Sequence, residues 1–199
     1  MNSNASPKNR GRPRIHEDQR AAWRAASRAY RKRKKQKVYH KSNSDEWYTP
    51  PDLAEHIMQN VAHRDAFDID PCAPAEPPYT VEAARRLTAA DDGLAHDWGE
   101  PGTIAWVNPP YSQMKKWIEK CLEQAGHGVV VIALVPARTG TRWWSRAIHD
   151  AADGHATAHA YTLPGRLRFY KQQPDNTIIE GDSAPFDSAI LIWNLSLID

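Results

Sequence analysis

The sequence predicts an α/β protein built on a mostly parallel sheet, and three observations carry that reading. Residues 129–135 are apolar at every position, as expected of a central parallel strand covered on both faces. Residues 103–107 read as a second strand, closed by Asn108 and two consecutive prolines. Between the two, residues 114–124 place Trp117, Ile118, Cys121 and Leu122 at helical spacing, the mark of an amphipathic helix. Strand, helix and strand in that order make a βαβ unit.

The remaining elements follow along the chain. Residues 17–37 are rich in Ala and Arg without Gly or Pro and predict a basic helix with a thin apolar stripe, and residues 41–44 read as a linker. Thr49-Pro50-Pro51-Asp52 sets up a helix start, after which Leu53, Ile57, Met58 and Val61 recur at helical intervals. Residues 66–70 predict a short strand ended by Pro71, residues 73–80 a Pro-rich loop and residues 81–87 a helical turn. Residues 143–151 read as a helix, residues 158–163 and 167–170 as strands, and residues 188–193 as a terminal strand. There is no internal repeat. The expected division is a basic tail over residues 1–44 and one core-bearing domain over residues 45–199, since a chain of 199 residues is too short for two full α/β domains.

Charge follows the same division. Residues 1–41 carry 14 Lys/Arg against only Glu17 and Asp18, whereas the rest of the chain holds 12 basic and 22 acidic side chains. A strongly cationic segment attached to an acidic body implies a polyanionic partner, and nucleic acid is the commonest one. No run of 18 apolar residues exists and the first 20 residues lack the apolar stretch of a signal peptide, so a cytosolic location without membrane partners is expected. The two cysteines, Cys72 and Cys121, form no CxxC pair and imply neither a disulfide framework nor a zinc site. His149, His155 and His159 come with no HExxH pattern, so no metal is expected.

Asn108-Pro109-Pro110-Tyr111, directly after the strand at 103–107, carries the chemistry. Two prolines fix the backbone and remove two amide donors, so the turn presents carbonyls and an Asn amide oxygen beside an aromatic ring. An amino group on an aromatic ring is a poor nucleophile because its lone pair is delocalised. Acceptors at the Asn108 side chain and the Pro109 carbonyl would hold its hydrogens and free the lone pair, while Tyr111 stacks on the ring.

This turn resembles the (N/D/S)PP(Y/F) motif of amino-group methyltransferases. The ordered blocks Glu46-Trp47-Tyr48-Thr49-Pro50, Asp68-Ile69-Asp70-Pro71, Asp91-Asp92-Gly93-Leu94 with Trp98, Asn108 to Tyr111, and Arg166-Leu167-Arg168-Phe169 together resemble the phage DNA N-6-adenine methyltransferase family over about residues 45–195. The resemblance implies a class I methyltransferase fold, with helices on both faces of the sheet and an antiparallel last strand, that uses S-adenosylmethionine to methylate a flipped-out adenine in double-stranded DNA. It also implies a role in DNA methylation or restriction and modification. Its catalytic residues would be Asn108, Pro109, Pro110 and Tyr111. Tyr48, Thr49 and Pro50 would contact the methionine end of the cofactor, the loop Asp70, Pro71, Cys72 and Ala73 would cradle it, and Asp91 or Asp92 would meet the adenosine end. The loop departs from the family pattern in having no GxG after the strand, which leaves close backbone approach to Ala73 and the proline kink. Blander readings stand beside these: Thr49 as a helix cap, Asp91 and Asp92 as a solvated pair before a Gly turn.

DNA contacts are expected from three further places. Arg138 and Arg142 follow the most apolar strand and suit phosphates, and Trp143 either wedges a base or begins the next helix as a core residue. Strand alternation puts Arg166 and Arg168 on one face, opposite Leu167 and Phe169. Arg10-Gly11-Arg12-Pro13-Arg14 resembles an AT-hook core, a basic arm that lies in the minor groove. The rival functions are a methyltransferase acting on protein glutamine or RNA, and a catalytically inactive methyltransferase fold that only binds DNA.

Overall fold

A computed structural model describes residues 47–149 and 158–198. The AT-hook-like residues Arg10, Arg12 and Arg14, the basic helix, the linker, the domain start at Asp45, and the C-terminal end of the helix expected at 143–151 lie outside the described residues.

Six strands form the central sheet in the order β2-β1-β3-β4-β8-β5. They are β1 (Phe67–Asp70), β2 (Ala83–Arg86), β3 (Ile104–Val107), β4 (Val130–Pro136), β5 (His159–Thr162) and β8 (Ser188–Trp193). Neighbours from β2 to β4 pair in parallel, while β8 runs antiparallel to both β4 and β5. Five strands therefore share one direction and β8 alone is reversed. The expected antiparallel terminal strand is this one.

The βαβ unit forms because each residue of β3 and β4 is buried, whichever face it points to. Val131, Ala133 and Val135 pack with Trp117, Ile118, Cys121 and Leu122 of helix α2 (Met114–Gly126), together with Trp144 and Ala147 of helix α3 (Arg142–His149). Val130, Ile132 and Leu134 meet Ala54 and Ile57 of helix α1 (Pro51–Ile57) and the π turn Met58–Ala62 on the other face. Each fully buried side chain of this size contributes about 1.5–3 kcal/mol, so the two-sided core accounts for both the sheet and its helical covers.

Two elements differ from expectation. Residues 81–87 are not a helical turn but contain strand β2, paired in register with β1 through Phe67↔Ala83, Ile69↔Arg85 and Asp70↔Arg86. Val81 and Ala83 are buried and alternate with exposed Glu82 and Ala84. Pairing with β1 thus overrides the helical propensity of the Ala-Ala-Arg-Arg run. The strand expected at 167–170 is β6 (Arg168–Gln172), which stands outside the central sheet in a hairpin with the unforeseen β7 (Ile178–Ser183). A backbone bridge, Tyr48 N to Tyr170 O at 3.2 Å and Tyr170 N to Tyr48 O at 3.0 Å, joins this hairpin to the segment before α1.

Candidate active site

The parallel strands β1 and β3 end at Asp70 and Val107 on one edge of the sheet, where open α/β sheets bind ligands. A cavity of about 470 Å³ opens there. Residues from three separate segments line it: Tyr48 and Thr49 before α1, Asp70, Pro71, Cys72 and Ala73 after β1, and Asn108 and Pro110 after β3. Asp92, Gly93 and Leu94 close another side.

The loop after β1 is held by its own backbone. The Cys72 N–H donates to Asp70 Oδ1 at 3.0 Å, and the Ala73 N–H donates to the Leu87 carbonyl at 2.9 Å. Burial pushes the Asp70 carboxyl up to about 6, against the opposing pull of the Cys72 hydrogen bonds and the Arg86 charge. A glycine further along the chain packs against this loop. A Cβ on Gly93 would stand 1.9 Å from the Pro71 carbonyl oxygen, so only Gly lets the loop at 91–94 pack against the β1 loop. The buried Trp98 indole N–H donates to the Gly93 carbonyl at 2.9 Å and fixes that loop in turn.

Asp91 and Asp92 part company. The Asp91 carboxylate accepts from the Thr88 N–H and hydroxyl, both at 2.8 Å, and these bonds lower its pKa. It is a loop anchor outside the cavity lining. Asp92, in the left-handed region at φ 54°, lines the cavity.

Asn108 is clamped on both sides of its amide. Its Nδ2 group donates to the Trp47 carbonyl and to Thr49 Oγ1 at 3.2 Å, while the Tyr111 hydroxyl donates to Oδ1 at 3.2 Å. Thr49 makes no helix cap; Pro50 occupies that position without a side-chain bond. Behind Asn108, its backbone N–H points at the Cys72 thiol, whose pKa is raised chiefly by burial. The Pro110 carbonyl accepts from the Gln113 N–H at 2.9 Å. That of Pro109 accepts no hydrogen bond among the described residues. Tyr111 packs edge-on to Phe169 and Phe186, with centroids 6.1 and 5.4 Å away, and burial raises its pKa so that the hydroxyl stays protonated.

The remaining predicted residues lie outside this cavity. Pro50 and Pro109 are buried supports. Arg138 and Arg142 are exposed beyond the carboxyl end of β4, and Trp143 is half-buried against the core and edge-on to Trp144. Arg166 and Arg168 are exposed and face Asp187 at 3.8 Å and Glu180 at 3.6 Å, while Leu167 is half-buried and Phe169 buried. Trp47, Tyr79, Val81, Thr88, Trp106 and Gln113 also line the cavity and were given no role from the sequence. Trp106 had a usable signal, lying two residues before Asn108 and hence on the same strand face; Tyr79 in its Pro-rich loop had none.

The one reversed strand beside the sheet edge, with the binding cleft at the carboxyl ends of the parallel strands, defines a class I methyltransferase fold. A family model described as DNA N-6-adenine-methyltransferase (Dam) matches residues 36–195. The chain belongs to that family. It is similar to the DNA N-6-adenine-methyltransferase of Escherichia phage T1, 25% identical over 134 residues that cover 63% of this chain and 53% of the relative. It is also similar to the enzyme of the same name from Haemophilus phage HP1, 26% identical over 114 residues that cover 57% of this chain and 62% of the relative. The chain thus spans between half and two thirds of the length of these curated relatives. Among the described residues no helix is long and apolar enough to cross a membrane, and no cluster of His, Cys, Asp or Glu is arranged to hold a metal ion.

Proposed function

We propose that this chain is a DNA adenine methyltransferase that binds S-adenosylmethionine in the cavity and methylates the exocyclic amino group of an adenine flipped from duplex DNA. The observation that carries the reading is that Asn108 and Pro110 of the turn after β3 line the same cavity as Asp70 and Asp92. Family membership and the phage relatives support DNA as the substrate and the host cytosol as the place of action.

The cavity fits the cofactor in size, charge and shape. Its lining contains two carboxylates, Asp70 and Asp92, and no Lys or Arg, which suits a ligand carrying an ammonium and a sulfonium. The contact of Gly93 with Pro71 seats the loop at 91–94 against the β1 loop, and both loops line the cavity. The rival of an inactive fold draws on the missing GxG after β1.

When bound, the cofactor supplies an electrophilic methyl group. The protein's part is to hold the acceptor. Asn108 Oδ1 and the Pro109 carbonyl accept the two hydrogens of the adenine amino group and draw it out of conjugation, so its lone pair faces the methyl donor. The amide cannot turn over to present its nitrogen, because Trp47 and Thr49 hold Nδ2. Tyr111 takes the base against an aromatic wall completed by Phe169 and Phe186. No strong base is required, since the nitrogen becomes acidic on methylation and releases its proton to water. Incubating the purified chain with duplex DNA and labelled S-adenosylmethionine, then digesting to nucleosides, tests the reading. Label in N6-methyl-2′-deoxyadenosine is expected; transfer to RNA or protein glutamine alone, or no transfer, would refute it.

A further inference from the structure

We propose that Lys115 and Lys116 of α2, together with Arg138 and Arg142, form a cationic surface that grips the DNA sugar-phosphate backbone beside the cavity mouth. The proposal rests on the reading of the site as a DNA methyltransferase and adds where the flipped strand is held.

β3 and β4 are parallel neighbours, so the chain leaves both at the same sheet edge. Helices α2 and α3 then pack on one face of the sheet in a shared core and run back side by side. Arg146 Nε lies 3.1 Å from Glu119 Oε2 and fixes their register. One turn nearer the cavity edge on each helix stand Arg142 and Lys115. All four cations are exposed, and none has an ion-pair partner among the described residues. Residues 108–118 and 136–145 contain no carboxylate, in a body that holds 22 acidic side chains beyond residue 41.

The arrangement is unfavourable without an anion. Neither helix has an acidic residue in its first turn, where one would complement the helix dipole, and Lys115, Lys116 and Arg142 oppose that dipole as well as each other. A polyanion relieves both repulsions. An adenine whose amino group reaches Asn108 leaves its flanking phosphates at the rim, where these side chains stand, and phosphate contacts of this kind set position without reading sequence.

The test compares DNA affinity from low to high salt for the full chain and for the double variant Lys115→Gln/Lys116→Gln, using one labelled duplex. Each lost phosphate contact flattens the slope of log affinity against log salt by about 0.9, so the double variant is expected to lose about two units. Cofactor affinity stays unchanged and the melting temperature is equal or higher. Lys115→Arg/Lys116→Arg keeps the slope. Arg64→Gln, which removes a charge before β1 at the opposite sheet edge, leaves it within about half a unit. Equal slopes for the Gln variant and the unsubstituted chain, with DNA binding intact, overturn the surface and leave the methyltransferase reading standing. A comparable loss per charge in Arg64→Gln also overturns it, because net charge would then suffice. Failure of the unsubstituted chain to bind DNA overturns both.

Discussion

The Nδ2 group of Asn108 donates to the backbone carbonyl of Trp47, 61 positions earlier in the chain. A carbonyl only accepts, so this bond fixes which end of the amide is nitrogen and turns Oδ1 toward Tyr111. An acceptor held in place before substrate arrives needs no reorganisation in the transition state.

Asn108→Ala is expected to lower methyl transfer by a hundredfold or more while cofactor affinity stays within a few-fold. Losing one preorganised contact of this kind costs about 2.7–4 kcal/mol of transition-state stabilisation. Single-turnover transfer rates and calorimetric cofactor binding check it, and near-normal transfer would remove Asn108 from its role.

Tyr111→Phe keeps the packing on Phe169 and Phe186 and loses only the hydroxyl that steadies Asn108. A bond of this type contributes about 0.5–1.5 kcal/mol, so turnover should fall by no more than about tenfold. Tyr111→Ala also removes the ring, and its loss should be far larger, with a lower melting temperature. Equal losses in the two variants would show that the ring does not hold the base.

Gly93→Ala drives a methyl group into the Pro71 carbonyl oxygen. Backbone cannot yield as a side chain does, and overpacking of this kind costs about 1–3 kcal/mol. Thermal melts and cofactor titration should both show the loss; full affinity with unchanged stability would mean that the two loops do not need their close contact.

Asp70 links stability and binding in opposite directions. Its carboxyl titrates near 6 when folded, above the value of about 3.9 in an unfolded chain. Between those values the folded state binds more protons, so stability falls as pH rises through the window, by about 3 kcal/mol in all. Asp70→Asn should therefore melt higher than the unsubstituted chain at pH 8 and converge with it near pH 4. Pairing with the cofactor ammonium needs the ionised form, so cofactor affinity of the unsubstituted chain should fall as pH drops through about 6, and the variant should bind weakly throughout. Undiminished binding by a folded Asp70→Asn protein would dismiss the assignment.

Residues 1–41 hold most of the positive charge and almost no apolar surface. Deleting them should leave the fold intact and flatten the salt dependence of DNA affinity by about five units, for roughly six lost phosphate contacts. Transfer to short oligonucleotides at saturation should persist. Equal slopes would mean that the tail does not touch DNA, and loss of folding would place the domain boundary elsewhere.

The sequence by itself determined the unit of β3, α2 and β4, because a strand buried on both faces must be apolar throughout and a helix beside it must be apolar on one stripe. It also determined which groups the turn after β3 can present, since two prolines and an Asn leave carbonyls and a side-chain amide there. Only the tertiary structure decided that residues 81–87 form a strand, because the partner that completes its hydrogen bonds is β1 and not its own next turn. The same holds for the separation of Asp91 from Asp92, for the seating of Gly93 against Pro71, and for the Trp47 and Tyr111 bonds that orient Asn108. Each depends on a contact between segments whose local patterns carry no trace of one another, and so becomes fixed only when the sheet brings them to one edge.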